Sequence, residues 1–415
     1  MKIKSVSLII LVVFLFSCQS RPVTPGKEKP PYQHTVSFIA VGDNLFHETI
    51  IRAALTEDGS YDFSPIYTEV KHIVQKADLA FINQETVMAG TSFGYSGYPQ
   101  FNTPQSLGRT LADTGFDIVN LANNHAMDKG RSGLYATLDF LDTIRQFTVI
   151  GARKEGESAR IITKNHIKLG FLSYTFSLNG IPLPADNPNL VSMIDREKMT
   201  EEIKALRPAC DFLIVSMHWG AEYLLEPDKS QTDLALFLTE QNVDLILGHH
   251  PHVLQRFEEL PRPDGKKTLC FFSLGNFASN QRERERIIGA MVFLVFAKNP
   301  TGTTIQAVES ALLRPIGSGR SEFTSGEYVI FNFGILPIIT HYDRNFRNTK
   351  LYPLYAYTEE LINSHRLKNE GPGLSFEFFK GVTDRLNTNI ITHDPFNEDF
   401  HRLLKLIPSL YASPL

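Results

Sequence analysis

The sequence predicts a layered α/β domain, in which helices cover a sheet. Short apolar runs of strand length alternate with amphipathic helical patterns through the first three-quarters of the chain. Hydrophobic residues make up 42% of the 415 residues, and 30 of them are Phe, which supports a large core. The length exceeds that of a usual single domain, so we expect the layered domain to carry an appendage.

The predicted strands and helices follow one another in a regular order. Ile66, Val70 and Ile73 recur every three or four residues, as do Leu134 and Leu138, and this spacing places each set on one helix face. Helices are predicted at 64–76, 104–114, 133–146, 196–206 and 230–241. Continuous apolar runs predict strands at 36–41, 79–82, 118–122, 168–174, 212–217, 243–247, 269–274 and 288–295.

The composition changes after about residue 315. Residues 316–326 are rich in Gly, Ser and charge and predict a loop, and the apolar run 328–339 predicts a strand. Helical patterns recur at 361–365, 376–386 and 400–406. No motif in this part suggests chemistry. We therefore predict a main domain at 36–315 and a mixed C-terminal extension at 316–415.

Polar side chains follow five of the predicted strands. In open α/β sheets, sites are built at the carboxyl ends of the strands. The residues that meet this condition are Asp43, Glu85, Asn123, Asn124, His125, His218, His249, His250 and His252.

The stretch Gly248-His249-His250-Pro251-His252 places three imidazoles within four residues. Carboxylates and neutral imidazoles from several segments are what a divalent metal site requires at neutral pH. Five of the 13 His residues lie in three of these motifs, which scattered surface use would not produce. The pattern predicts a metal site at the sheet edge.

The order of these motifs resembles the CapA family, the poly-γ-glutamate capsule synthesis proteins, a variant of the calcineurin-like metallophosphoesterases. Supporting stretches are Gly42 to His47, Asn83 to Thr86, Tyr98 to Pro104, Leu121 to Asp128 and Ser273 to Phe277. The resemblance covers residues 36 to 315 and implies two packed β-sheets flanked by helices, a metallophosphatase-like fold.

The resemblance also implies roles for the candidate residues. Asn124 matches the metal-binding Asn of an Asn-His motif, and His125 is its neighbouring acid; His250 and His252 match a His-x-His pair. Asp128 could orient His125 through its ring N–H or could cap the next helix. The implied metal ligands are Asp43, Glu85, Asn124, His218, His250 and His252.

Each of these residues also has a structural interpretation. Asp43 could be a turn former or helix cap, Glu85 a surface residue, and the Asn123-Asn124 pair ordinary turn chemistry. His125 could merely hold the Asn123-Asn124 loop.

One position departs from the calcineurin-like pattern. Leu45 stands where that pattern has His, and His47 follows two residues later. His47 could replace the missing ligand or contact substrate. His249 and Asn123 are further possible ligands or substrate contacts.

The implied function is metal-dependent hydrolysis in the synthesis, export or anchoring of an anionic polymer such as poly-γ-glutamate. The cofactor would be one or two Mn, Fe or Zn ions, and the substrate a phosphoester or γ-glutamyl bond, with capsule synthesis membrane proteins as potential partners. The alternative is a non-catalytic lipoprotein that binds a polymer or partner and retains a degenerate metal site; Leu45 favours it.

A net charge of −4 gives no electrostatic reason to expect nucleic acid. The alternating charges at 281–286 predict a solvated loop.

The N-terminus has the pattern of a bacterial lipoprotein signal. Lys2 and Lys4 precede the apolar run 6–16, and Leu15-Phe16-Ser17-Cys18 resembles a lipobox. Residues 19–35 are Pro-rich and polar and predict an extended tether. We expect residues 1–18 to be the signal peptide region and lipid on Cys18 to anchor the protein in the cell envelope, outside the cytoplasmic membrane. An uncleaved signal anchor is the alternative.

Changing Cys18 to Ala should leave the protein unprocessed and unlabelled by radioactive palmitate, because the thiol is the acceptor for the acyl chains. The measurement is gel mobility and lipid labelling of membranes from cells that express either chain. Normal processing and labelling of Cys18→Ala would exclude the lipid anchor.

Overall fold

A computed structural model describes residues 34–156, 159–298, 323–325, 328–346, 348–386 and 390. The predicted signal peptide, residues 19–33 of the tether and the helical pattern at 400–406 lie outside these residues. None of the helices in the described ranges is long and apolar enough to cross a membrane.

Strands in the described part of the chain form two sheets. The first has nine strands: β1 His34–Leu45, β2 Leu79–Gln84, β3 Ile118–Asn120, β4 Thr148–Ile150, β11 Asn276–Ser279, β12 Ile288–Lys298, β13 Phe323–Ser325, β14 Tyr328–His341 and β15 Lys350–Pro353. The second has six: β5 Arg160–Lys164, β6 Ile167–Thr175, β7 Phe212–His218, β8 Leu245–His249, β9 Phe257–Pro261 and β10 Lys267–Phe271.

The order of the strands places the longest apolar runs at the centre of each sheet. The first sheet runs β13-β14-β12-β1-β2-β3-β4, with β11 also paired to β1 and β15 to β14. The second runs β5-β6-β7-β8-β10-β9. Within them, β1, β2, β3 and β4 are parallel neighbours, as are β6, β7, β8 and β10, so their carboxyl ends share one edge.

The described part of the chain has eight α-helices, of which the first six cover the outer faces of the two sheets and the last two contribute to the core between the sheets. They are α1 Glu48–Ala53, α2 Ser64–Val74, α3 Ser106–Thr114, α4 Gly130–Asp142, α5 Arg196–Leu206, α6 Lys229–Glu240, α7 Glu359–Ser364 and α8 Phe376–Arg385. Side chains of α1 to α4 pack on the first sheet, and those of α5 and α6 pack on the second. The layers are therefore helix, sheet, sheet and helix, which confirms the predicted fold class.

Strand β1 shows why the central strands read as continuous apolar runs. Phe38 and Ala40 point into the core between the sheets, whereas Ile39 and Val41 point into the core under the helices. Successive side chains of a strand point to opposite faces, and here both faces are buried. The period-2 alternation of an exposed sheet is therefore missing from the sequence.

The C-terminal part joins the same sheet and core. Strand β14, within the predicted extension, pairs antiparallel with β12, and Phe379 of α8 belongs to the core between the sheets. Residues 34–35, assigned to the tether, begin β1. The loop predicted at 316–326 includes strand β13.

The chain crosses from the second sheet to the first between β10 and β11, close to β1 and β8. A Cβ on Gly42 would lie 2.0 Å from the Gly275 carbonyl oxygen, and one on Gly248 would lie 2.0 Å from that of Phe272. Only glycine allows this approach. The strand predicted at 269–274 ends at Phe271, before this crossing.

Candidate functional site

The predicted site residues come together where the carboxyl edges of the two sheets meet. Asp43 lies near the end of β1 and Glu85 directly follows β2. His218 ends β7 and His249 ends β8, in the other sheet. All four side chains are fully buried, and the structure brings them together at this junction.

Glu85 is the centre of this cluster. Its Oε1 lies 3.6 Å from His218 Nε2 and 3.7 Å from His252 Nε2. Ligand atoms of Glu85, His250 and His252 all lie within 4.8 Å of one another. One carboxylate therefore faces imidazoles from two separate segments, the end of β7 and the loop after β8.

Asn124 completes one side of the cluster. Its Oδ1 lies 2.9 Å from His218 Nε2. Metal–ligand distances of about 2.0–2.2 Å separate neighbouring ligand atoms by roughly 3.0–3.6 Å. The Asn124–His218 distance of 2.9 Å and the His218–Glu85 distance of 3.6 Å lie in or close to that range.

Asp43 lies on the other side and is held from four directions. Asn83 Nδ2 donates to its Oδ1 at 2.8 Å, and the His250 backbone N–H donates to its Oδ2 at 3.2 Å. His252 Nδ1 lies 3.1 Å from Oδ2 and His249 Nδ1 lies 3.6 Å from Oδ1. Burial alone would raise the pKa of Asp43, but the imidazoles of His249 and His252 outweigh it and hold that pKa well below its ordinary value.

Glu85 has the opposite electrostatic environment. Burial, followed by the negative charge of Asp43, raises the pKa of Glu85 well above its ordinary value. Asp43 therefore ionises readily, whereas Glu85 does not. Ionisation of both carboxylates at one buried site would require a nearby positive charge. A divalent cation would supply it.

The loop that carries the three histidines is tightly turned. His250 and His252 have φ of 97° and 58°, which non-glycine residues rarely adopt and which concentrate at functional sites. Burial, then the nearby charge of His252, lowers the pKa of His250 to about 4, so His250 is neutral and able to bind metal at pH 7. Burial would lower the pKa of His252 too, but Glu85 and Asp43 raise it to about 9. His252 thus supplies positive charge when no metal does.

Several buried nitrogen and oxygen atoms in this cluster have no hydrogen-bond partner, and they show whether the cluster suits a metal ion. Among the described residues, both carboxylate oxygens of Glu85 are buried without a hydrogen-bond partner, and so are His218 Nδ1, His250 Nδ1 and both ring nitrogens of His249. Buried polar atoms are rarely left unpaired unless an ion or ligand satisfies them. These donors are imidazole nitrogens and carboxylate oxygens without a thiolate, which fits a divalent metal ion.

His125 and Asp128 form a second unit beside Asn124. His125 Nδ1 lies 2.8 Å from Asp128 Oδ2, and Asp128 also accepts the Phe101 backbone N–H at 2.7 Å. The His125 ring packs edge-on against Phe101 at 4.7 Å between centroids. Asp128 therefore fixes the ring orientation of His125 by holding its Nδ1.

The remaining candidates have distinct positions. His47 packs edge-on against Phe101, and its buried Nδ1 has no hydrogen-bond partner among the described residues. Burial, then the charge of His252, lowers the pKa of His47 to about 4. Leu45 is buried. Asn123 uses its amide on the backbone, donating to Gln84 O and accepting from His125 N, so it positions the loop.

A row of hydrogen bonds behind Asp43 was not predicted. Asp43, Asn83 and Asn120 are register partners on β1, β2 and β3. Asn120 donates to Asn83 at 2.8 Å and accepts from Ser173 of the second sheet at 2.6 Å. The sequence signal that could have identified Asn83 and Asn120 is an asparagine at the end of an apolar strand.

Two further asparagines support the ligands. Asn276 Oδ1 lies 3.1 Å from His252 Nδ1, and its Nδ2 donates to the His252 and Arg286 carbonyls. Asn179 Oδ1 accepts a long hydrogen bond, 3.3 Å, from Asn124 Nδ2. Asn276 belongs to the stretch Ser273 to Phe277, which supports the family resemblance, but the sequence did not predict a function for it. Such supporting residues fix the orientation of metal ligands.

Comparison with known proteins gives consistent results. The family description "Bacterial capsule synthesis protein PGA_cap" matches residues 37–281, more than half of the chain. The PGA biosynthesis protein CapA of Bacillus subtilis (strain 168) is 28% identical over 311 residues, 72% of this chain and 77% of that protein. The capsule biosynthesis protein CapA of Bacillus anthracis is 31% identical over 185 residues, 42% of each chain.

Solved structures give a weaker similarity. NAD nucleotidase (NadN) of Haemophilus influenzae aligns with a TM-score of 0.41 and 11% sequence identity, over 90% of this chain and 59% of the nucleotidase. At that score the alignment does not establish a shared fold. The fold assignment rests on the order and packing of the two sheets.

Replacing Glu85 with Gln should raise the Tm of the metal-free protein by about 2–4 °C, because a buried carboxylate beside Asp43 is removed. The folded-state pKa of Glu85 lies above its ordinary value of 4.5, so in the parent this group costs increasing stability as the pH rises through the interval between the two values. The gain in Glu85→Gln should therefore be larger at pH 8 than at pH 5. Added Mn²⁺ should raise the Tm of the parent and have little effect on the variant.

Glu57→Gln, at an exposed position, is the matched control and should behave as the parent does. Thermal unfolding with chelator and with Mn²⁺ measures all three chains. A full Mn²⁺-dependent rise in Tm in Glu85→Gln would show that Glu85 is not a ligand.

Proposed function

Because this chain belongs to the bacterial capsule synthesis protein PGA_cap family, we propose that it acts on an anionic capsule polymer such as poly-γ-glutamate. The proposed activity is metal-dependent hydrolysis in synthesis, export or anchoring of that polymer. The proposed location is the cell envelope, where lipid on Cys18 anchors the protein outside the cytoplasmic membrane. The observation that carries the hydrolase proposal is the buried Glu85, whose oxygens are unpaired and whose Oε1 faces imidazoles from two segments of the chain.

The metal proposal follows from the donor set. Asp43, Glu85, Asn124, His218, His250 and His252 would hold one or two ions. Nitrogen and oxygen donors without thiolate favour Mn, Fe or Zn. Such ions would lower the pKa of water and stabilise negative charge on a phosphoryl or acyl oxygen. His47, which has a buried unpaired nitrogen, is a candidate for the ligand position that Leu45 cannot provide.

The side chains of this site would then divide the work of hydrolysis. For a phosphoester, water attacks phosphorus, the bond to the leaving oxygen breaks, and that oxygen needs a proton. His125 Nε2 is the proposed proton donor, and Asp128 Oδ2 holds the opposite ring nitrogen at 2.8 Å. For a γ-glutamyl amide the same proton would go to the leaving nitrogen. Asn83 and the His250 backbone N–H fix Asp43 throughout.

A non-catalytic protein that binds a polymer or partner is the second candidate. Leu45 favours it, because a buried apolar side chain stands where the calcineurin-like pattern has a ligand. Such a protein would bind metal as a structural ion and show no turnover.

His125→Asn should lower phosphodiesterase turnover by about 10²–10⁴-fold, because general acid catalysis contributes roughly that much. Its metal content should stay close to that of the parent. His250→Ala should lower metal content and turnover together, because it removes a proposed ligand. Elemental analysis and hydrolysis of bis(4-nitrophenyl) phosphate are measured side by side in both variants.

Full activity in His125→Asn would refute the general-acid role. A parent protein that binds metal yet hydrolyses neither phosphoesters nor γ-glutamyl oligomers would favour the non-catalytic candidate.

A further inference from the structure

Arg286 lies on an aromatic ring next to the histidine loop. Its guanidinium carbon is 3.4 Å from the centroid of the Tyr223 ring. That ring is 6.1 Å from the ring of His252, between centroids. Tyr223 is 38% exposed and His252 is buried, so Tyr223 lies between solvent and the site. Arg286 therefore brings a cation to the entrance of the proposed metal site.

The position of Tyr223 is fixed by the histidine loop itself. Its backbone N–H donates to the Pro251 carbonyl at 2.8 Å. Its φ is 69°, a left-handed conformation that is uncommon for a bulky residue. Such strain persists where the surrounding structure imposes it, often at functional sites. The ring is thus held in place before any ligand arrives.

Arg286 is tied to the same ligand from the other side. Asn276 Nδ2 donates to the Arg286 carbonyl at 2.9 Å, while Asn276 Oδ1 lies 3.1 Å from His252 Nδ1. Gln281 accepts from Asn276 Nδ2 and donates to the Tyr223 hydroxyl at 3.4 Å. Arg286, Tyr223 and His252 are therefore linked through one short network.

The charge of Arg286 is only weakly offset. Among the described residues, its ion pair is with Glu283, at 3.8 Å, and the Glu283 side chain is 55% exposed. Exposed pairs of this kind contribute little. Burial, followed by the neighbouring Glu222, raises the pKa of Tyr223, whereas Arg286 lies over the face of its ring. The loop predicted as merely solvated therefore presents a positioned cation.

The other arginines of this loop make different contacts. Arg282 lies over Phe346 at 5.2 Å, and Arg284 lies over Phe378 at 4.5 Å. Both rings belong to the C-terminal part of the chain, whereas Tyr223 adjoins a site histidine. Arg286 is therefore the arginine of this loop that is placed for a ligand, and Arg282 offers a matched control.

We propose that Arg286, stacked on Tyr223, binds an anionic group of the substrate, a carboxylate or a phosphate, beside the proposed metal site. A guanidinium stacked by its face keeps N–H donors at its edge, and these match two oxygens of a planar carboxylate or of a phosphate. This inference rests on the proposed function, because it assigns the subsite of that same site. The substrate would carry its anionic group next to the reacting bond, as a polymer with one carboxylate per unit does.

The test measures binding by calorimetry with full-length, Mn²⁺-loaded protein in detergent. The two probes are a γ-linked glutamate oligomer and inorganic phosphate. Arg286→Gln should weaken binding of the recognised anion by about tenfold, because a charge-assisted hydrogen-bond pair is lost. Arg286→Lys should recover part of the loss, and the salt dependence of binding should be smaller in Arg286→Gln than in the parent. Arg282→Gln should bind as the parent does.

The probe that loses affinity identifies the source of the anion, the polymer carboxylate or a phosphate. Equal binding by Arg286→Gln and the parent, equal losses in Arg286→Gln and Arg282→Gln, or binding of neither probe by the parent would each overturn the assignment. The outcome does not depend on turnover. Arg286-dependent binding without hydrolysis would therefore contradict the proposed hydrolase activity alone, and hydrolysis with unchanged binding in Arg286→Gln would contradict this inference alone.

Discussion

Two buried carboxylates at the junction of the sheets set the conditions for the rest of the site. Asp43 and Glu85 are both inaccessible to solvent, and burial, followed by the charge of Asp43, raises the pKa of Glu85. Placing two such groups together away from water is unfavourable unless cations or hydrogen-bond donors compensate them. Asp43 receives its donors from the protein, whereas both oxygens of Glu85 lack a partner in the described chain. His218 and His252 lie around the unpaired oxygens of Glu85.

The fold supplies this arrangement by joining the sheets at their carboxyl edges. Asp43 is held through Asn83 and Asn120 to Ser173 of the second sheet, so its position depends on the register of both sheets. The crossing near Gly275 presses the chain against β1 and β8. From that crossing Asn276 reaches both His252 and the backbone of Arg286. Asn276 therefore positions both the proposed ligand His252 and the Arg286 backbone at the entrance of the site.

Much of this could be predicted because local patterns determined it. Apolar runs buried on both faces marked the central strands, and helix α5 has the predicted bounds. The residues at the strand ends converged because parallel strands share an edge. Strand β9 was missed because its sequence, Phe257–Pro261, is only partly buried and is defined by pairing with β10. Strand β11 likewise depends on its partner β1.

The supporting residues could not be predicted for a different reason. The role of Asn83 comes from its register partners, and that of Asn276 from a crossing between sheets, neither of which a local pattern encodes. Arg286 lies in a run of alternating charge that is typical of a solvated loop. Its stacking on Tyr223 depends on contacts between distant segments. Ligand types can be inferred from residue chemistry, but their supports require the assembled fold.

The central claim is that a divalent cation compensates the buried charge of Glu85. Anomalous diffraction from crystals grown with Mn²⁺, measured on both sides of the manganese absorption edge, tests it most directly. The account predicts an anomalous peak in contact with Glu85, His250 and His252, with any second peak on the side of Asn124 and His218 or of Asp43. Crystals at saturating Mn²⁺ that show Glu85 hydrogen-bonded to ordered water, with no anomalous peak among these side chains, would contradict it.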